Sequence, residues 1–274
     1  MVSMGTVWDR ATEFLSDNLS AIFPLALLTI FIPSAISQSL TPLMVLGGST
    51  AFGIEVVAIG LSVVSLWGQI ALIALALDAP AGRGNAIETA NRRLLPIIGI
   101  RLIVAVGATV LILPFFIALM VAGFDFRAMI AGGKPGLPQG VYGFLSLYLP
   151  LVVAAGIWLW ARLLLITPIM IMERRGTGVF LRSFKLTRRF QWKIVGVLIL
   201  YGIVSVVSFL AAKLVFGSIL GLIASGDGPV TVATVLTSIL VSVVVTVFSV
   251  LACAFTAKLY TAARDAREAI VESA

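Results

Sequence analysis

The side chains that most often perform chemistry in proteins are scarce in this chain. Its 274 residues include no histidine and one cysteine, Cys253, which excludes histidine-based metal sites, Ser-His-Asp and Cys-His pairs, and a disulfide within the chain. The sequence contains neither a glycine-rich phosphate loop with its lysine nor carboxylates paired for acid–base catalysis. It therefore predicts no enzyme, no catalytic residue, no metal and no cofactor. The chemistry that remains is that of charges in apolar surroundings.

Arg162 is the best single candidate for a functional charge. It lies in a long apolar segment eleven residues before Glu173, which is roughly 16 Å along a helix and near the middle of a hydrocarbon core of about 30 Å. A cation at that depth is costly unless it is paired or hydrated. Two interpretations stay open: Arg162 holds a lipid phosphate or a carboxylate of another span, or it forms a structural ion pair or a bond to kinked backbone near Pro168.

Three other polar side chains fall within apolar segments: Gln69, Lys258 and Glu55. Gln69 and Lys258 join Arg162 around a common axis if the internal repeat described below is correct. Lys258 is also close enough to the end of its segment to extend to the membrane interface. For Glu55, a proton or cation site and an ordinary interfacial carboxylate are both open.

A basic and aromatic run extends from residue 174 to residue 193. Its cations are Arg174, Arg175, Arg182, Lys185, Arg188, Arg189 and Lys193, and its aromatic residues are Phe180, Phe184, Phe190 and Trp192. Aromatic rings beside cations at the headgroup level suit anionic lipid. The predicted partners are therefore membrane lipids, with a candidate phosphate-binding set of Arg162, Arg182, Lys185, Arg188 and Arg189. For Glu173 we expect a structural role, either in a pair with a neighbouring arginine or as a helix cap.

The elements that position these residues are membrane-spanning helices. The chain is 60% hydrophobic and 11% charged, whereas soluble domains carry roughly 25% charged residues. Six apolar segments are long enough to cross a bilayer: about 19–40, 53–77, 95–121, 143–171, 194–222 and 231–260. The net charge of +7 does not predict nucleic-acid binding, because the basic residues lie between apolar blocks and form no basic face of a soluble domain. The sequence predicts an all-α, polytopic membrane protein with a single transmembrane domain, 1–274.

The distribution of charge predicts the orientation of these spans. The segments 41–52, 122–142 and 223–230, with the adjoining span ends, hold three basic residues: Arg127, Lys134 and Lys213. The other side holds Arg83, Arg92, Arg93, the run from 174 to 193, Arg264 and Arg267. By the positive-inside rule that side is cytoplasmic, together with both chain ends.

The chain also resembles itself at three places. An amphipathic helix, a span, an outer turn and a returning span recur in repeats at about 6–78, 84–172 and 177–262, followed by a cytoplasmic tail, 263–274. Alignment superimposes the small residues Ala11, Ala90 and Ser183, and it places Trp67 on Trp160 and Gln69 on Arg162. We therefore expect three helical hairpins around a pseudo-threefold axis, each with a cytoplasmic amphipathic elbow helix.

The segment RLLLITPIMIMERRGTGVFLRSFKLTRR resembles the membrane domain of some bacterial glycerophosphoryl diester phosphodiesterases, a domain that also occurs alone in multi-span proteins. The matching positions are Arg162, Pro168, Glu173, Arg182 and Ser183. The resemblance covers the whole chain in organisation but only about residues 160–195 in motif. It implies a bacterial inner-membrane protein. It does not imply phosphodiesterase activity, because the reaction in that family belongs to a separate soluble domain with histidines.

Three functional hypotheses follow. In the first, the protein is non-enzymatic and binds, moves or organises phospholipid at the cytoplasmic leaflet. In the second, it is a small-solute transporter or channel with a polar path along the axis, although transporters more often use inverted repeats. In the third, it is a scaffold or assembly factor for other membrane components. The sequence names no substrate and no protein partner.

Overall fold

The computed structural model confirms the all-α class. It describes residues 3–126, 136–137, 139–173, 178–188, 190–223 and 230–272, and these contain helices and turns but no strand. We number the α-helices in chain order: α1 (Met4–Asp17), α2 (Leu19–Ala26), α3 (Ile32–Leu40), α4 (Gly48–Leu77), α5 (Gly82–Val121), α6 (Gln139–Leu163), α7 (Ile166–Met172), α8 (Val179–Thr187), α9 (Gln191–Ile223) and α10 (Val232–Glu272).

Six helical segments within the described ranges are long and apolar enough to span a bilayer, as predicted. They are Leu19–Met44, Gly48–Leu77, Gly82–Val121, Gln139–Met172, Gln191–Leu222 and Val232–Glu268. The protein is therefore a multi-pass membrane protein. Most side chains in the parts of α5, α6 and α9 that lie away from α1 and α8 are exposed. The apolar character of these side chains fits contact with lipid.

The first span is interrupted in a way that the sequence did not predict in detail. Between α2 and α3, residues Leu27–Phe31 form a π-helical turn, and after α3 a 3-10 helix covers Thr41–Leu46. Pro24 and Pro33 flank the π turn, and each removes a backbone donor from the helical ladder, so a local change of hydrogen-bond register is expected there. Gly47 and Gly48, with φ of 64° and 58°, then provide the left-handed backbone for the turn into α4.

The fourth span is broken near Pro168, the second of its two prolines, and is continuous through Pro150. α6 ends at Leu163 and α7 begins at Ile166, two residues before Pro168. Proline has no backbone N–H and its ring crowds the preceding helical turn. The break leaves carbonyl groups in the last turn of α6 that need donors from elsewhere.

The three elbows are similar in burial but differ in continuity. Ala11, Ala90 and Ser183, which the repeat alignment superimposes, are all 0% exposed, so each elbow packs a small residue against the bundle. α1 is separated from the first span at Asn18, and turn residues at Arg188 and Phe190 lie between α8 and α9. The second elbow, in contrast, is the first part of the 40-residue helix α5. It is continuous with its span although Pro96, which has no backbone N–H to donate, lies within the helix at the junction.

The spans pack as a ring in chain order. The first span packs against α4, α4 against α5, α5 against α6, α6 against α9 and α9 against α10, and α10 returns to contact both α3 and α4. The buried core lies towards one end of this ring, which holds α1, α8, the start of α5 and the C-terminal ends of α4 and α10. We call this end the elbow face.

Candidate functional site

Three of the four polar residues predicted inside the membrane, Gln69, Arg162 and Lys258, lie at contacts between successive repeats. In each repeat the returning span, which is α4, α6 with α7, or α10, packs against the elbow of another repeat: α4 against α5, α6 against α8, and α10 against α1. The contact between the third and first repeats closes the ring. These inter-repeat contacts therefore decide what Gln69, Arg162 and Lys258 can do.

Arg162 contacts the third elbow. Its Nη1 donates a hydrogen bond to the carbonyl oxygen of Phe184 at 2.9 Å, and its guanidinium carbon lies 5.2 Å from the ring centroid of Trp158 and 5.4 Å from that of Phe184. The hydroxyl of Ser183 donates to the carbonyl of Arg162, a group in the last turn of α6. These contacts hold the cation by backbone and aromatic rings. They favour a structural role, with the acceptor in α8 and not at the break before Pro168.

Gln69 and its neighbour Trp67 contact the second repeat. Arg101 Nη2 donates to Gln69 Oε1 at 3.3 Å, and the indole Nε1 of Trp67 donates to Asn91 Oδ1 at 2.7 Å. Asn91 follows Ala90 just as Phe184 follows Ser183, so the two acceptors occupy equivalent places in the repeat, whereas the donors Trp67 and Arg162 do not. The sequence alignment matched Trp67 to Trp160 and Gln69 to Arg162 but contained no signal for their partners.

Lys258 contacts the first repeat. Its ammonium donates to the carbonyl oxygen of Ala76 at 2.8 Å and lies 4.8 Å from the ring centroid of Phe14. Ala76 is in the last turn of α4, where carbonyl groups lack intrahelical donors and a positive charge is favourable. An internal contact therefore accounts for this cation in addition to its closeness to a helix end.

The structure does not bring the three polar residues together on an axis. The hydrogen bond of Gln69 joins α4 to α5, that of Arg162 joins α6 to α8, and that of Lys258 joins α10 to α4. No described hydrogen bond joins any two of these three residues. Glu55 is exposed on α4. The described contacts thus give a set of three separate joints and not one central polar cluster.

Apart from these three joints, a polar contact links α7, α8 and α10 at the elbow face. Arg182 Nε and Glu173 Oε1 are 2.9 Å apart, with side chains 22% and 15% exposed. The hydroxyl of Tyr260, a residue that is almost fully buried, donates to the same carboxylate oxygen at 3.2 Å. The pair between Glu173 and an arginine is one of the two structural roles considered for this glutamate.

The remaining cations of the basic run that the structure describes form an exposed surface. Lys185 on α8 and Arg188 just after it are exposed on the same side as Leu181, and Trp192 and Lys193 are exposed at the start of α9. Leu181 is 70% and Trp192 78% exposed. We call these five residues the basic face. Arg189, also predicted as a phosphate ligand, lies outside the described residues, as do Arg174 and Arg175.

Comparison of the chain with family models, with curated proteins and with solved structures gave no match.

Proposed function

We propose that the protein is a non-enzymatic membrane protein that binds and organises anionic phospholipid at the leaflet containing the basic face. The observation that carries this proposal is the exposure of Lys185 and Arg188 beside exposed Leu181 and Trp192. The chain has no acidic residue between Glu173 and Asp227, so the local potential is positive. Apolar side chains that enter the interface, with cations at the headgroup level, favour anionic lipid.

The contacts of the other two predicted ligands assign them a different role in this proposal. Arg162 is bound to the carbonyl of Phe184 and Arg182 to the carboxylate of Glu173. A lipid phosphate would have to replace those partners. Lys185 and Arg188 can contact a headgroup without breaking any described hydrogen bond or ion pair, and they are therefore the proposed headgroup ligands.

The double substitution Lys185→Gln with Arg188→Gln is expected to remove most of the preference for phosphatidylglycerol over phosphatidylcholine. Each cation near an anionic surface contributes about 1 kcal/mol, so the preference should fall by roughly 30-fold at low salt. Lipid titrations of the detergent-purified protein, followed by native mass spectrometry, measure the two affinities.

The matched control is Arg83→Gln with Arg92→Gln. It removes the same charge from the start of α5, where Arg92 already pairs with Glu88. The control should keep the preference of the unmodified protein. An unchanged preference in the Lys185 and Arg188 variant would contradict the proposal.

We further propose that the elbow face is cytoplasmic and the membrane is the bacterial inner membrane, on the strength of the positive-inside rule. Cys253 is buried, so a cysteine introduced by Lys185→Cys would be the accessible thiol of the described residues. A membrane-impermeant maleimide should leave it unlabelled in intact cells and label it after lysis. Labelling of intact cells would reverse the assignment.

Kinship with the membrane domain of glycerophosphoryl diester phosphodiesterases also remains a proposal. Its support is that the motif residues contact one another: Ser183 with Arg162, and Arg182 with Glu173. A motif whose members form the joint between α6, α7 and α8 is explained by structure, without any phosphodiester chemistry.

A further inference from the structure

An apolar groove runs between α6, α9 and α10, and α1 lies at one end of it. Trp160 forms the α6 wall, Leu198 and Tyr201 the α9 wall, and Ala252 and Phe255 the α10 wall, while Trp8 of α1 contacts the groove from the elbow side. The rings of Trp8 and Phe255 are 6.0 Å apart. The hydroxyl of Tyr201 is used in a hydrogen bond to the carbonyl of Phe248, so it presents no free donor to the groove.

The depth of this groove identifies the chemistry of its occupant. Leu198 is seven residues from the start of α9 at Gln191, which is roughly 10 Å along the helix, and the groove therefore lies in the hydrocarbon layer nearest the elbow face. The groups available at that depth are lipid acyl chains. The groove is partly open and its volume is about 60 Å³. This volume fits a segment of one acyl chain, and the rest of the lipid lies in the bilayer.

One cationic side chain lies beside the groove at the level of the headgroups. Lys193 is exposed and lies one helical turn before Val197, another residue of the groove. A lipid phosphate bound at this lysine would bring an acyl chain of the same lipid to the groove.

We infer that this groove holds an acyl chain of one phospholipid, whose phosphate lies at Lys193. The aromatic rings of Trp160 and Phe255 contact the acyl chain, and Trp8 on the first elbow covers the part of the acyl chain nearest the elbow face. The inference rests on the proposed lipid-binding function and makes it specific. It adds an individually bound lipid to the charged surface of the basic face.

The first test fills the groove. Ala252→Phe should lower the affinity for the most tightly retained phosphatidylglycerol by about tenfold, because the new ring occupies the space of the chain segment. Ala105→Phe adds the same volume at an exposed position of α5 and should leave the affinity unchanged. Native mass spectrometry of the detergent-purified full chain, titrated with phosphatidylglycerol, measures both.

A second substitution tests the groove independently of whether the Ala252→Phe variant folds. Trp160 is 57% exposed, so Trp160→Ala should keep the fold and still weaken retention of that lipid. Leu147→Ala, at an exposed position of the same helix, is its control. Retention of the lipid at the unmodified affinity by both Ala252→Phe and Trp160→Ala would overturn the inference.

The headgroup contact is tested on α9 itself. Lys193→Gln should lower affinity for that lipid by about fivefold, whereas Lys213→Gln, an exposed lysine of the same helix, should not. If Lys193→Gln weakens binding and the groove variants do not, the groove does not bind an acyl chain, and only lipid binding at the basic face is supported. If the groove variants weaken binding while the Lys185 and Arg188 variant keeps its anionic preference, the bound lipid stands and the proposed function fails.

Discussion

Gly68→Ala is expected to destabilise the protein by about 3 kcal/mol, the upper part of the usual range for overpacked cores. Gly68 lies in α4 against the π turn of the first span. A Cβ at this position would fall 2.4 Å from the Cβ of Thr29 and 1.8 Å from its Oγ1. Thr29 is buried, and its hydroxyl already donates to the carbonyl of Leu25 at 2.7 Å. Neither side chain can move aside, so the two helices must separate.

Thermal unfolding in detergent, followed by circular dichroism, measures this effect. Gly60→Ala in the same helix is the matched control, because a Cβ there meets nothing within 4 Å. Alanine has a higher helix propensity than glycine, so this control should lose no stability. Thr29→Gly combined with Gly68→Ala should recover part of the stability, since it removes the clashing Cβ. Equal midpoints for Gly68→Ala and Gly60→Ala would show that the close approach is not a determinant of the fold.

Glu173→Ala is expected to cost about 3–5 kcal/mol, as is usual when one partner of a largely buried ion pair is removed. The substitution leaves the guanidinium of Arg182 without its carboxylate and the hydroxyl of Tyr260 without its acceptor. Because these residues join α7, α8 and α10, the third elbow should also detach more readily from the bundle.

A double-mutant cycle with Arg182→Met separates the pair from its surroundings. The doubly substituted protein should be more stable than the sum of the single losses predicts, with a coupling of about 0.5–3 kcal/mol. Tyr260→Phe removes one hydrogen bond and should cost about 1 kcal/mol. Additive losses for Glu173→Ala and Arg182→Met would mean that the contact contributes nothing to stability.

The fold was predictable where it depends on local pattern. Apolar segments of sufficient length gave the six spans. Pro168 lies beside the break between α6 and α7, but Pro114 and Pro150 lie inside continuous helices, so proline alone did not locate the break. The aligned small residues Ala11, Ala90 and Ser183 are buried because a helix that packs closely on a bundle requires a small contact residue. The π turn and the continuity of the second elbow were not predictable, because alternative backbone registers near proline differ little in local sequence.

The candidate site was predictable only in part. Arg162 was recognised as an unusual charge, since its depth follows from counting residues. Its backbone acceptor, the carbonyl of Phe184, follows from the packing of α8, whereas Trp158 lies one turn before Arg162 on α6. The contact between Lys258 and Ala76 joins residues 182 positions apart, and a backbone acceptor leaves no signal in the sequence. The groove under Trp8 likewise requires four helices to be placed before it exists.

The closure of the ring has a consequence for biosynthesis. The first elbow is held by the last span, through Trp8 with Phe255 and Phe14 with Lys258. A ribosome that adds about 5–20 residues per second needs roughly 12 to 50 seconds to pass from Phe14 to Lys258. During that interval the newly made first helix lacks its main docking partner, α10, and its apolar side must rest on the membrane surface or on a chaperone. Assembly of the native ring can be completed only after translation of the sixth span.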